Sequence, residues 1–146
     1  MRHIIFVGLG GFLGSVARFQ LGALATQLFG PRVPAGTLVV NLLGCFLVGY
    51  LSGLIEKRYL FSAETRLFLI TGFLGGFTTF SAFGLETTRL LERGKWPFAM
   101  ANVVANVVGG LLLVWLGFRV AAARPSDSHS STQSTVEIDR TSVRLP

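Results

Sequence analysis

Four apolar stretches, parted only by short polar breaks, constrain this chain more than any other feature. They run about 4–29, 35–55, 67–91 and 98–120. A helix rises about 1.5 Å per residue, so about 20 apolar residues cross the roughly 30 Å of bilayer hydrocarbon. The breaks are made of turn formers and charges: Gly30, Pro31, Arg32 and Pro34, then Glu56, Lys57, Arg58 through Glu64, then Glu92, Arg93, Gly94, Lys95 and Pro97. Connections this short make successive helices antiparallel neighbours. The expected fold is an all-α integral membrane protein: residues 1–123 form four transmembrane helices, and 124–146 a polar tail. The tail, PSDSHSSTQST included, offers almost nothing to bury and is expected to be disordered.

Charge decides where such a chain sits. Only 14% of residues are charged, against about a quarter in soluble domains. The net charge of +6 would suit nucleic acid, but Lys and Arg fall at the ends of the apolar stretches instead of on one face. They read as anchors in a lipid bilayer, with no nucleic-acid partner. With the N-terminus in the cytoplasm, Arg2, Lys57, Arg58, Arg66, Arg119 and Arg124 lie on that side, against Arg32, Arg89, Arg93 and Lys95 opposite. So small an excess gives the positive-inside rule little to act on and permits insertion both ways round. Four thin helices do not easily enclose a pore alone, so an antiparallel homodimer is expected. Cys45, the single cysteine, rules out an intramolecular disulfide and reads as a buried small apolar filler. His3 and His129 have no second ligand at metal spacing. The first stretch outruns a signal-peptide core and carries Arg18, so it is expected to stay attached.

Some residues are not explained by burial in lipid. Arg18, within GGFLGSVARF, costs about 2.5 to 3.5 kcal/mol at a span centre. It either snorkels to an interface or faces a water-filled vestibule. Gly10, Gly14 and Gly22 share its helix at packing spacing. Asn41 lies one turn after Thr37 in GTLVVNLLG, and Asn102 and Asn106 repeat the spacing of four in the last helix. Each stripe is either an interhelical hydrogen bond or part of a polar track.

The stretch 71–87, TGFLGGFTTFSAFGLET, is the most informative. Gly75 and Gly76 are poor helix formers and Thr78 and Thr79 follow, so the third helix is expected to break near its middle. Irregular backbone within a bilayer survives only where it is buried or lines a cavity. Its free carbonyls would suit a sodium ion and its free amides an anion. Phe80 and Phe83 share a face with Ser81 beside them; the pair is either core packing or two positive ring edges offered to a small anion. Glu86 marks a passage mouth or pairs with Arg89.

Together GGFLGSVARF, GTLVVNLLG and GFLGGFTTFSAF, in this order, resemble the CrcB or Fluc family of fluoride channels over residues 1–120. The resemblance implies an antiparallel, dual-topology homodimer in the cell inner membrane with two narrow pores, passively exporting fluoride that enters as hydrogen fluoride. It implies that Asn41, Phe80 and Phe83 line the fluoride pathway with Ser81, Thr37 and Asn106, and that Arg18 shapes the vestibule. It further implies that the backbone carbonyls of Gly75 and Thr78 hold a structural sodium ion at the dimer interface. The fourth helix departs from the pattern: Asn102 and Asn106 stand where relatives often have Tyr and then Ser, and Gly110 where a further Ser would donate. An enzyme is not expected, since no nucleophile with a base, metal cluster or phosphate loop can be assembled. Two other classes fit the size: a proton-coupled cation or drug exporter, which would need a carboxylate in its first helix, and a structural membrane subunit.

Overall fold

A computed structural model describes residues 1–30, 34–58 and 61–123, with the side chains of Lys57 and Arg58 outside it. The tail 124–146, with Arg124 and His129, and Arg32 of the first break also lie outside the described residues. Among those described there is no strand, and four helices are long and apolar enough to cross a membrane. They are the first span Arg2–Phe29, the second Ala35–Glu56, the third Ala63–Glu92 and the fourth Trp96–Ala123. Helices are what a bilayer permits, because no water is present to satisfy an exposed N–H or C=O.

The helices run past the apolar stretches, and local chemistry sets their ends. Gly30, at φ 84°, stops the first span while its N–H still bonds to Thr26 O at 2.9 Å. Ser62 starts the third span four residues ahead of the apolar stretch by accepting from Thr65 N at 3.2 Å. Gly94, at φ 70°, turns the chain towards the fourth span, which carries Pro97 in its first turn, where a missing N–H costs nothing.

Glycines decide which spans pack most closely. A Cβ on Gly14 would run into the Phe73 carbonyl, and one on Gly72 would lie 2.8 Å from Val7 O and 3.0 Å from Gly10 Cα. Gly76 meets Gly11 in the same way, one turn further along both helices. The first and third spans therefore run parallel in near backbone contact, as small residues allow in lipid. A second seam joins the second and fourth spans: a Cβ on Gly117 would sit 2.6 Å from Tyr50 N, and one on Gly53 2.8 Å from Ala121 Cβ. Short connections suggest that successive, antiparallel helices are the main neighbours. They do touch, as where Gly36 faces Gly22 O, but the tightest contacts are between alternate, parallel spans. Gly22 accordingly contributes its carbonyl to the second span, not a third notch to the seam.

Two stretches are wound more widely than an α-helix. Leu67–Leu74 in the third span and Ala105–Gly109 in the fourth are π-helical. Such turns are rare and concentrate at functional sites. Here one leads into the Thr78–Thr79 region and the other carries Asn106. Nothing in composition marks them.

Candidate functional site

The third span leaves helical geometry at two residues. Thr78 has φ −81° and ψ 155°, and Thr79 φ −148° and ψ 110°, both extended. Gly75 and Gly76, the poorer helix formers, stay helical, so the departure begins two residues beyond them, at Thr78. Threonine suits the geometry because its branched Cβ disfavours the helix and its hydroxyl can replace lost backbone bonds. Thr78 closes the preceding turn by directing both N and Oγ1 to Leu74 O, each at 3.0 Å. Thr79 caps the following helix, its Oγ1 accepting from Ala82 N at 3.3 Å and meeting Ser81 Oγ at 3.2 Å.

An extended residue in a bilayer needs a partner for each backbone group, and Asn41 serves both for Thr79. Thr79 N donates to Asn41 Oδ1 at 2.8 Å, and Asn41 Nδ2 donates back to Thr79 O at 3.2 Å. One side-chain amide thus replaces a neighbouring strand. Carbonyls of the preceding turn lose their helical donors in consequence, those of Gly75 and Thr78 among them. In a continuous helix Gly75 O would accept from Thr79 N and Thr78 O from Ala82 N. Those donors turn instead to Asn41 Oδ1 and Thr79 Oγ1.

From Asn41 the hydrogen bonds continue across the fourth span in one direction. Asn41 Nδ2 also donates to Asn106 Oδ1 at 3.0 Å. Asn106 Nδ2 donates to Asn102 O at 3.0 Å and Asn102 Oδ1 at 3.1 Å. Asn102 Nδ2 donates to Thr87 Oγ1 at 2.9 Å, and Thr87 Oγ1 to Phe83 O at 2.8 Å. An amide nitrogen carries two hydrogens, so those of Asn41 and of Asn106 are both engaged within the protein.

Two cavities meet at Thr79, which lines both. The smaller, about 400 Å³, is bounded by Asn41, Gly75, Thr78, Phe80, Phe83 and Asn106. Its two rings are 5.4 Å apart and tilted by 58°, so one presents an edge towards the other's face. They differ in setting: Phe83 is 8% exposed and Phe80 81%. Cys45 stands half-buried on the wall of this cavity, so it is not the buried filler expected of it. The larger cavity, about 740 Å³, is bounded by Arg18, Thr37, Glu86, Arg89 and Arg93 among others. Three guanidiniums against one carboxyl make it attractive to anions.

These positions sort the expected site residues. Asn41, Phe80, Phe83, Asn106, Gly75 and Thr78 share the smaller cavity, whereas Thr37 and Arg18 belong to the larger. Ser81 is exposed and reaches the smaller cavity only through Thr79. Thr37 Oγ1 donates to Glu86 Oε1 at 2.6 Å, so Glu86 takes its bond from the second span and not from Arg89, while its Oε2 is buried with no hydrogen-bond partner. Sequence reasoning missed Thr79 and Thr87. Thr79 could have been found as a helix-capping residue just after two glycines, but no signal pointed to Thr87.

Comparison with known proteins gives the chain a family. The sequence profile of the family described as "CrcB-like protein, Camphor Resistance (CrcB)" matches residues 5–118. The chain is 46% identical to a protein of Methylobacillus flagellatus over 121 residues, 82% of this chain and 94% of that one. It is 50% identical to one of Opitutus terrae over 119 residues, 80% and 90% of the two chains, and 47% identical to one of Rhizobium meliloti over 123 residues, 84% and 98%. Each of these relatives is named "Fluoride-specific ion channel FluC".

Proposed function

Because the chain belongs to the CrcB-like family, we propose that it is a fluoride channel, passing the ion from the arginine-lined cavity past Thr79 into the cavity of Asn41, Phe80 and Phe83. The observation that carries this reading is the sharing of Thr79 by the two cavities, the larger lined by arginines and the smaller by neutral residues. Fluoride is small and strongly hydrated, so a passage must replace its water with donors yet release it again. Amide hydrogens, hydroxyls and positive ring edges meet both needs, whereas a row of fixed cations would hold the ion too long. Cations stay at the mouth, where they raise the local anion concentration.

Subunits pair as an antiparallel homodimer in the cell inner membrane, each dimer with two pores, and fluoride leaves down its own gradient. Phe80 and Gly75 are exposed although both line the smaller cavity, which gives that cavity an open face and supports this, because its missing wall is then supplied by a second copy. A structural sodium ion suits the same face. Gly75 and Thr78 carry two of the carbonyls that lose their helical donors, and a two-fold partner would add two more oxygens for a cation that unwound membrane helices commonly hold. Sodium would supply positive charge at the dimer centre and tie the two interrupted helices together.

The test is fluoride efflux from liposomes carrying the purified protein, read with a fluoride electrode beside a chloride control and without a proton gradient. Efflux of fluoride and not chloride is expected; no efflux, or equal efflux of both, would overturn the reading. Phe83→Ile and Phe80→Ile keep apolar bulk but lose the ring edge, so each should slow efflux on the order of tenfold, the rate equivalent of the upper end of an aromatic-edge interaction. The dimer should persist on gel filtration, and unimpaired efflux in the double variant would remove the rings from the pathway.

Glu86 favours one rival, proton-coupled export, as a carboxyl inside a span with a buried, unpartnered oxygen. A channel needs no such coupling. Fluoride efflux through Glu86→Gln, like that of the unaltered protein, is expected to be indifferent to an imposed pH difference. Transport that follows the pH difference in the unaltered protein and vanishes in the variant would establish the exporter.

A further inference from the structure

Asn102 is 5% exposed and lines neither cavity, and neither does Thr87, yet both lie on the hydrogen-bonded chain that ends at Thr79. The oxygens of Asn102 engage both hydrogens of the Asn106 amide. Asn106 therefore faces Asn41 with its oxygen. Asn41 must answer with its nitrogen, which leaves Asn41 Oδ1 for Thr79 N. Reversing any one of these amides would set donor against donor or acceptor against acceptor at the next.

We propose that Asn102 and Thr87 are positioning residues: they fix the orientation of the Asn106 amide and, through it, which atoms Asn41 turns to Thr79 and to the passing anion. The inference rests on the channel reading. It gives Asn106 a role as acceptor for Asn41, in place of the donor to fluoride implied by its position. An anion in the smaller cavity then gains a hydrogen from Asn41 by displacing Asn106 Oδ1, a neutral acceptor that takes the hydrogen back when the ion leaves. Such an exchange keeps binding weak enough for conduction. Without Asn102 Oδ1, one Asn106 hydrogen loses its acceptor and the amide is free to turn over, presenting nitrogen to nitrogen at Asn41.

A double-substitution comparison separates positioning from plain packing. Asn102→Leu keeps the volume but removes both polar atoms, and it should slow fluoride efflux by about tenfold, within the coupling range of residues in one network. Asn106→Ser replaces the amide with a hydroxyl that can donate or accept by rotating, so in that background Asn102→Leu should cost less than about twofold. A purely structural Asn102 would cost the same factor in both backgrounds, and that result would overturn the proposal. Side-chain amide hydrogen exchange, followed by NMR on the ¹⁵N-labelled dimer, reads orientation without flux. The Asn106 amide hydrogens should exchange at least about tenfold faster in Asn102→Leu, since a lost hydrogen bond removes their protection. Unchanged exchange would also overturn the proposal. If the unaltered protein passes no fluoride, the channel reading falls while the exchange result still decides the inference. Should Asn102→Leu fail to assemble, Thr87→Val and Thr87→Ser take its place: Ser keeps the acceptor for Asn102 Nδ2 and should behave as the unaltered protein, whereas Val should speed Asn106 exchange and slow efflux. Equal behaviour of the two would refute the role given to Thr87 and Asn102.

Discussion

Asn41→Asp should reduce fluoride efflux by at least about a hundredfold, the equivalent of roughly 2.7 kcal/mol of barrier and within the cost of a charge inside a span. Two effects act together. The nitrogen that donates to Thr79 O at 3.2 Å and Asn106 Oδ1 at 3.0 Å becomes an oxygen, so acceptor faces acceptor at both contacts. The carboxylate also puts a negative charge on the wall that the anion must pass. Asn41 Oδ1 still accepts from Thr79 N in the variant, so the extended residues keep one support and the protein should still be recovered as a dimer. Efflux at the rate of the unaltered protein would show that the ion travels elsewhere.

Gly14→Leu should have the largest effect on assembly. Its new Cβ is directed into the Phe73 carbonyl and would lie 3.0 Å from Phe77 N, both backbone atoms that no rotamer change can move aside. Overpacking of this kind costs about 1 to 3 kcal/mol where side chains can adjust, and more where only a helix can. The seam between the first and third spans should open, and monodisperse protein should be lost on gel filtration. Gly8→Leu is the control, because nothing lies within 4 Å of a Cβ there. Gly14→Leu protein as monodisperse as the control would mean that the seam tolerates a bulky residue.

The four spans were legible because a bilayer requires long apolar helices and tolerates little else. The Asn41, Asn102 and Asn106 stripes were legible for the same reason, as polar groups that hydrocarbon does not explain. What sequence could not assign was partnership. Thr79 holds its extended backbone through an amide 38 residues earlier, and Asn106 bonds to one 65 residues earlier. Intrinsic propensity pointed to Gly75 and Gly76, but a helical glycine costs only about 1 kcal/mol, and at Gly76 packing against Gly11 readily offsets it. Short loops likewise said which spans are consecutive and not which backbones approach most closely. Phe80 and Phe83 looked equivalent at three residues apart. That spacing places them 60° apart around the helix, enough to bury one and expose the other.

The order of residues along the polar chain bears on how the protein is made. When the third span leaves the ribosome, Asn41 has already been synthesised to receive Thr79, and Thr37 to receive Glu86. The fourth span comes last and brings Asn102 and Asn106 to waiting partners, Thr87 and Asn41. Of the three asparagines in this network, only that of the second span must enter the membrane before any of its partners has been made. Biosynthesis from the N-terminus thus delivers Thr79, Glu86, Asn102 and Asn106 each to a counterpart made before it.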